Sequence, residues 1–140
     1  MGVLQGIMII SVQSSKKTEF IDITSKVQDA VASFGIKDGM CMVYIPHTTA
    51  AVTINESADP SVKSDILNVL NKVIPWDDNY RHAEGNSAAH IKSSLIGASE
   101  LIWIENGRLA LGTWQGIFFC EFDGPRSRKV HVRVVQGGNH

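Results

Sequence analysis

"TWQGIFFCEFDGPRSR", residues 113–128, is the stretch whose reading decides the fold. Taken as a strand, with successive side chains on opposite faces, it puts Trp114, Phe118, Cys120 and Phe122 on one face, with Gly116 between them. That face is expected to be core. The other face carries Thr113, Gln115, Ile117, Phe119, Glu121 and Asp123, so apolar bulk shares a surface with two carboxylates. An isolated carboxylate in such a place is costly to bury. The face therefore demands a partner: an arginine, a metal or a neighbouring subunit. Arg126 and Arg128, just past the Asp123-Gly124-Pro125 turn, are placed to supply it. Structural pairing of Asp123 with Arg126 weighs equally with a catalytic role for the two.

Outward from this run, the same rules place the remaining elements. "ELIWIE" leads into an Asn106-Gly107 hairpin turn. "KVHVRVV" follows the proline turn as a strand, with His131 facing outward from the valines. Near the start, residues 6–13 and then "TEFIDI" read as strands. Thr24 or Ser25 caps a helix over "KVQDAVASF", which Gly35 terminates. "MCMVYI", residues 40–45, is a central strand that Pro46 ends, and "AVTIN" resumes at 51–55. Asp59 followed by Pro60 starts a helix whose apolar face is Val62, Ile66, Val69, Leu70 and Val73. Ser87 caps a third helix, "AAHIKSSLI", stopped by Gly97. Trp76 and Trp103 are read as packing residues. Strands before, between and after three helices give an α+β domain: one compact unit over 1–140, with a mixed, largely antiparallel sheet and residues 1–7 and 137–140 at the periphery.

Composition agrees and excludes several classes. A chain of 140 residues, 44% apolar and 19% charged, buries one core without staples. Thirteen basic and fourteen acidic residues nearly cancel, with no block of like charge, so no nucleic-acid footprint is visible. The longest apolar runs are far too short for a membrane span. No secretory signal precedes the first strand, so a cytoplasmic location is expected. Cys41 and Cys120 lie in apolar strand-like runs and read as buried free thiols.

Two further stretches can carry chemistry. "RHAEGNSAAH", residues 81–90, holds two histidines eight positions apart. His90 falls in the first turn of the third helix, on the side of Ser93 and Ser94 and away from Ile91 and Leu95. A neutral imidazole there can bind a metal, and the free amides after Glu84-Gly85-Asn86 can hold an anion. A pair of surface histidines without special role is the competing reading, and the spacing matches no metal signature. "PHTTA", residues 46–50, places His47, Thr48 and Thr49 at a strand end, which suits an anion or metal pocket or a plain turn. Glu56, after Asn55, is a candidate ligand or base, or simply an exposed carboxylate.

"HTTAAVTINE", "YRHAEGNSAAHIKSSLIG" and "NGRLALGTWQGIFFCEFDGPRSRKV", in that order, resemble the YjbQ-like family, also described as secondary thiamine-phosphate synthases. The likeness runs from Met8 to Val135. It implies an α+β subunit assembling as a homotrimer, which would give the face of Gln115, Ile117 and Phe119 its cover. It implies a divalent metal near the histidines and a transferase joining a pyrimidine pyrophosphate to a thiazole phosphate. His47, His82 and His90 are the chosen metal ligands; zinc suits imidazole, and magnesium is the other candidate. Glu56, Glu84, Glu121 and Arg126 are the expected catalytic groups. Thr48, Thr49, Asn55, Asn86, Ser87, Gln115 and Asp123 are the expected substrate-binding groups. The competing function is a non-catalytic trimeric module, binding a small ligand or purely structural, closed by protein groups rather than open to substrate.

Overall fold

The structure, a computed structural model, describes residues 3–138; the remaining terminal residues, expected at the periphery, lie outside them. In chain order the elements are β1 (Val3–Gln13), β2 (Glu19–Asp22), α1 (Thr24–Phe34), β3 (Gly39–Tyr44), β4 (Ala50–Glu56), α2 (Pro60–Val73), α3 (Ser87–Ile96), β5 (Ser99–Glu105), β6 (Arg108–Leu109), β7 (Gln115–Glu121) and β8 (Ser127–Gln136). β1 begins at Val3, so residues 3–7 belong to the edge strand of the larger sheet.

The α+β class and the three helices are as the sequence indicates. The strands divide into two sheets, five strands in the order β1-β8-β3-β5-β6 and three in the order β2-β7-β4, with antiparallel pairing throughout the described residues. The inner faces of both sheets meet in the main core. Val43, Ile104, Val132 and Val134 come from one sheet, Val52, Ile117 and Phe119 from the other, and Val27 and Val31 of α1 fill the side. The opposite face of the small sheet holds a second cluster of Phe20, Phe118, Cys120 and Phe122, covered by Ile66, Leu67 and Leu70 of α2 and by Ala89 and Ile96 of α3. β7 is thus buried on both faces, which is why its sequence is apolar on both.

Several expectations change for local reasons. Ile117 and Phe119 need no neighbouring subunit, because the large sheet covers them. Trp114 precedes β7 and is 64% exposed, since the chain leaves sheet geometry after Leu109. Trp103 points away from the core and is 63% exposed. On α2 the buried stripe is Ile66, Leu67 and Leu70, whereas Val69 and Val73 face outward. On α3 the buried side is Ala88, Ala89 and Lys92, and Ile91 and Leu95 are exposed. Thr24 is the first residue of α1; its amide and hydroxyl both donate to Asp22 Oδ1, while its hydroxyl oxygen accepts from the Ile117 amide. Asp59 caps α2 as read, accepting from the Ser61 amide at 2.9 Å. Asn106 and Gly107 both take positive φ, as a primed hairpin turn requires. Both cysteines are free and buried, and burial pushes the Cys41 thiol up to about 12.

Candidate functional site

The site begins where β3 stops. The Tyr44–His131 register would next pair Pro46 with Lys129, and proline has no amide to give. β3 ends there, and the side chain of His47 takes over: its Nε2 accepts from the Lys129 amide at 3.0 Å. Burial first, and the nearby Arg128 guanidinium second, hold the His47 pKa below the usual imidazole value. Against this ring lies a cavity of about 550 Å³ walled by Tyr44, Pro46, His47, Thr48, Thr49, Arg126 and Arg128.

A second hollow of about 360 Å³ shares His47, Thr48 and Ala98 with the first and adds His90, Ser93 and Ser94 from α3. A third, of about 300 Å³, shares His90 with the second and adds Tyr80, Arg81, His82 and Ser87. The three hollows form a strip of neighbours with shared walls, and all three candidate histidines line it. The His82 and His90 rings stand edge to face, with centroids 5.4 Å apart.

Beneath the strip is a closed network. Glu121 is fully buried and Arg128 is 3% exposed. Glu121 Oε1 accepts from Arg128 Nε at 2.9 Å and from Ser14 Oγ at 2.7 Å; Oε2 accepts from Arg128 Nη2 and from the Asp123 amide. Arg128 Nη2 also donates to the hydroxyl and carbonyl of Thr49. Burial alone would raise the Glu121 pKa; the Arg128 hydrogen bonds, the Asp123 amide and the Ser14 hydroxyl outweigh it and hold the group below the ordinary value. The partner demanded by the carboxylates of residues 113–128 is therefore arginine in each case. Asp123 Oδ2 accepts from Arg126 Nη2 at 3.1 Å and from Asn86 Nδ2 at 2.9 Å, tying the start of α3 to the turn before β8. Asn86, not Ser87, occupies the cap position of α3, and its side chain makes no cap bond. Asn86 Oδ1 and Ser93 Oγ are buried without a partner among the described residues.

The candidates fall into neighbouring groups. His82, His90 and Ser87 share one hollow; His47, Thr48, Thr49 and Arg126 share another; Asn86 and Asp123 link the two regions. Glu121 lies below them with its lone pairs engaged. Glu84 is exposed in the loop before α3. Asn55, Glu56 and Gln115 are elsewhere. Glu56 pairs with Gln115 at the end of the small sheet opposite the Ala50–Glu121 pair, roughly 20 Å along the strand. Within one chain these three do not meet the histidines. Ser14 and Tyr44 carry no local signal in the sequence, because long-range strand pairing brings them in.

Part of this geometry suits a divalent ion. Two imidazoles on one tetrahedral zinc, at Zn–N of about 2.0–2.1 Å, would have ring centres roughly 5 Å apart. His82 and His90 fit that spacing. No three His, Cys, Asp or Glu side chains among the described residues converge closely enough to complete a site. Further ligands would have to come from water, substrate or a second copy of the chain.

Fold and site together define a small α+β domain with a histidine strip beside an arginine-walled cavity. The sequence pattern of the UPF0047 YjbQ-like proteins matches residues 8–137. A UPF0047 protein of Methanocaldococcus jannaschii is 53% identical over 124 residues, 89% of this chain and 90% of that one. The Bacillus subtilis UPF0047 protein YugU is 51% identical over 90% of this chain and 96% of its own length. Among solved structures, an uncharacterised YjbQ/UPF0047 protein of Clostridium acetobutylicum superposes with a TM-score of 0.89 at 57% identity, covering 91% of this chain and 98% of that one. A YbjQ-like protein of unknown function from Sulfolobus solfataricus gives 0.92 at 31% identity, over 98% and 100%. The chain belongs to the YjbQ-like UPF0047 family.

Proposed function

We propose that the protein is a small enzyme acting on a phosphorylated or otherwise anionic small molecule, assisted by a divalent ion at His82 and His90. Zinc is the better match to imidazole, with magnesium as the alternative. The observation that carries this reading is that neighbouring hollows share His47 and His90 as wall residues. A cavity rich in donors thereby opens beside the only histidine pair in ring contact among the described residues. A bound ion would polarise a phosphoryl oxygen. The chain's own groups would orient the substrate: Thr48 and Arg126 on the anion, with Asp123 and Asn86 fixing Arg126 in place.

Thiamine-phosphate synthase is the particular transferase activity that the family resemblance suggests. Its test is direct: formation of thiamine phosphate from the pyrimidine pyrophosphate and thiazole phosphate by the wild type, and its loss in His90→Ala. A wild type without turnover, at any divalent metal supplied, would remove this assignment.

The homotrimer and a cytoplasmic place belong to the same proposal. Supporting assembly, the outer face of the large sheet exposes Ile9 and Tyr44 on either side of His131, and Met42, Leu101 and Trp103 further along the same face. Apolar patches of that kind mark association surfaces. No helix among the described residues is long and apolar enough to cross a membrane. The non-catalytic reading has one observation in its favour: Glu121, Arg128, Thr49 and Ser14 form a network closed by protein groups. That network lies under the cavity, and the donors above it remain free.

A further inference from the structure

The cavity beside His47 has an unequal supply of donors and acceptors. His47 Nε2 is occupied by the Lys129 amide, so its lone pair faces the β8 backbone. A neutral ring with an accepting Nε2 must carry its proton on Nδ1. Burial and Arg128 favour that neutral ring. Nδ1–H finds no partner among the described residues. Neither does the Thr48 hydroxyl. Arg126 spends Nε and Nη2 on Asp123 and leaves Nη1 over. These unspent donors, with the Tyr44 hydroxyl, belong to residues that wall one cavity, and no carboxylate walls it.

We propose that His47 is a substrate-binding residue, a hydrogen-bond donor of fixed tautomer that takes a phosphate oxygen through Nδ1–H, and not a metal ligand. The Lys129 amide sets the tautomer and so excludes Nδ1 from coordinating an ion. A metal on Nδ1 would need the proton moved to Nε2, directly against the Lys129 N–H. The phosphate oxygen accepts from His47, Thr48 and Arg126 together. This assignment rests on reading the cavity as an anion site; the His82–His90 pair is independent of it.

Three readouts test the assignment on the full chain. Imidazole nitrogen NMR is expected to show His47 protonated at Nδ1 and bare at Nε2, with or without added zinc. Inorganic phosphate, titrated calorimetrically, is expected to bind His47→Ala about tenfold more weakly than wild type. His47→Gln, whose amide offers an acceptor to Lys129 and a donor to phosphate, should stay within a few-fold of wild type. Both variants should keep wild-type zinc content. A His47 ring protonated at Nε2, or zinc lost from His47→Ala, would overturn the assignment. So would wild-type phosphate affinity in His47→Ala. A wild type that binds no phosphate at all would remove the anion reading itself, and this proposal with it, while leaving the histidine pair to be judged separately.

Discussion

The Glu121–Arg128 pair shows how one residue's demand propagates. A carboxylate placed between Cys120 and Phe122 has no water to turn to, and every oxygen lone pair it offers is met by Arg128, Ser14 or the Asp123 amide. Replacing one partner leaves the other charged and alone, so Arg128→Met should destabilise the chain by about 3–5 kcal/mol in urea unfolding. The pH dependence follows from the lowered Glu121 pKa. An acid held more acidic in the folded state stabilises fully above its unfolded value, near 4.5, and loses that contribution as the pH falls through the folded value. Glu121→Gln should flatten the thermal-stability profile in that acidic window; an unchanged profile would mean that the pair is not what acid attacks. Lys92 is the opposite case. It is buried with one neutral partner, the Asn71 carbonyl at 2.6 Å, and burial lowers its pKa. Lys92→Met should therefore leave the melting temperature unchanged or raise it, because no buried countercharge is stranded. Lys92 is inside because α3 turns Ala88, Ala89 and Lys92 to the core and leaves Leu95 outside.

At the scale of elements, local chemistry was readable and strand partnership was not. Asp59-Pro60, Gly35, Asn106-Gly107 and Pro46 act where they stand, through caps, positive φ and a missing amide, and each marks the boundary it was expected to mark. Residues 113–123 revealed a strand buried on both sides. They did not reveal that the cover for Ile117 and Phe119 is the large sheet of the same chain, because sheet order depends on pairings between distant residues. Gly116 belongs to the same account. A Cβ there would stand 2.6 Å from Ser57 Cβ, so Gly116→Ala should cost about 1–3 kcal/mol, measured by chemical denaturation, with the Ser57 loop displaced. The candidate site divides along the same line. His82 and His90 are joined by one loop and one helix turn, and their meeting could be suspected from "RHAEGNSAAH". The Lys129 amide on His47 could not, since it depends on where β3 stops beside β8.

The described residues form a two-sheet sandwich with α1 at its side, α2 and α3 on one outer face and no helix on the other. α2 and α3 cover the small sheet, whereas the large sheet presents Leu101 at 59% exposure beside Met42 and Trp103. A charge placed on that face should cost little in fold stability and much in association: Trp103→Lys is expected to sediment as a smaller species than wild type with an unchanged circular dichroism spectrum. Equal sedimentation of the two proteins would show that this face is not the assembly surface. The histidine strip lies at the end of the sandwich where β3 stops and β4 and β8 begin, beside α3, so the scaffold holds the site at its rim. The measurement that bears most directly on the account is the zinc content of purified wild type, His82→Ala and His90→Ala after equilibration with the ion and removal of excess. Bound zinc is expected in the wild type, and its loss from each variant with the fold intact. Full zinc content in both variants, or none in the wild type, would contradict it.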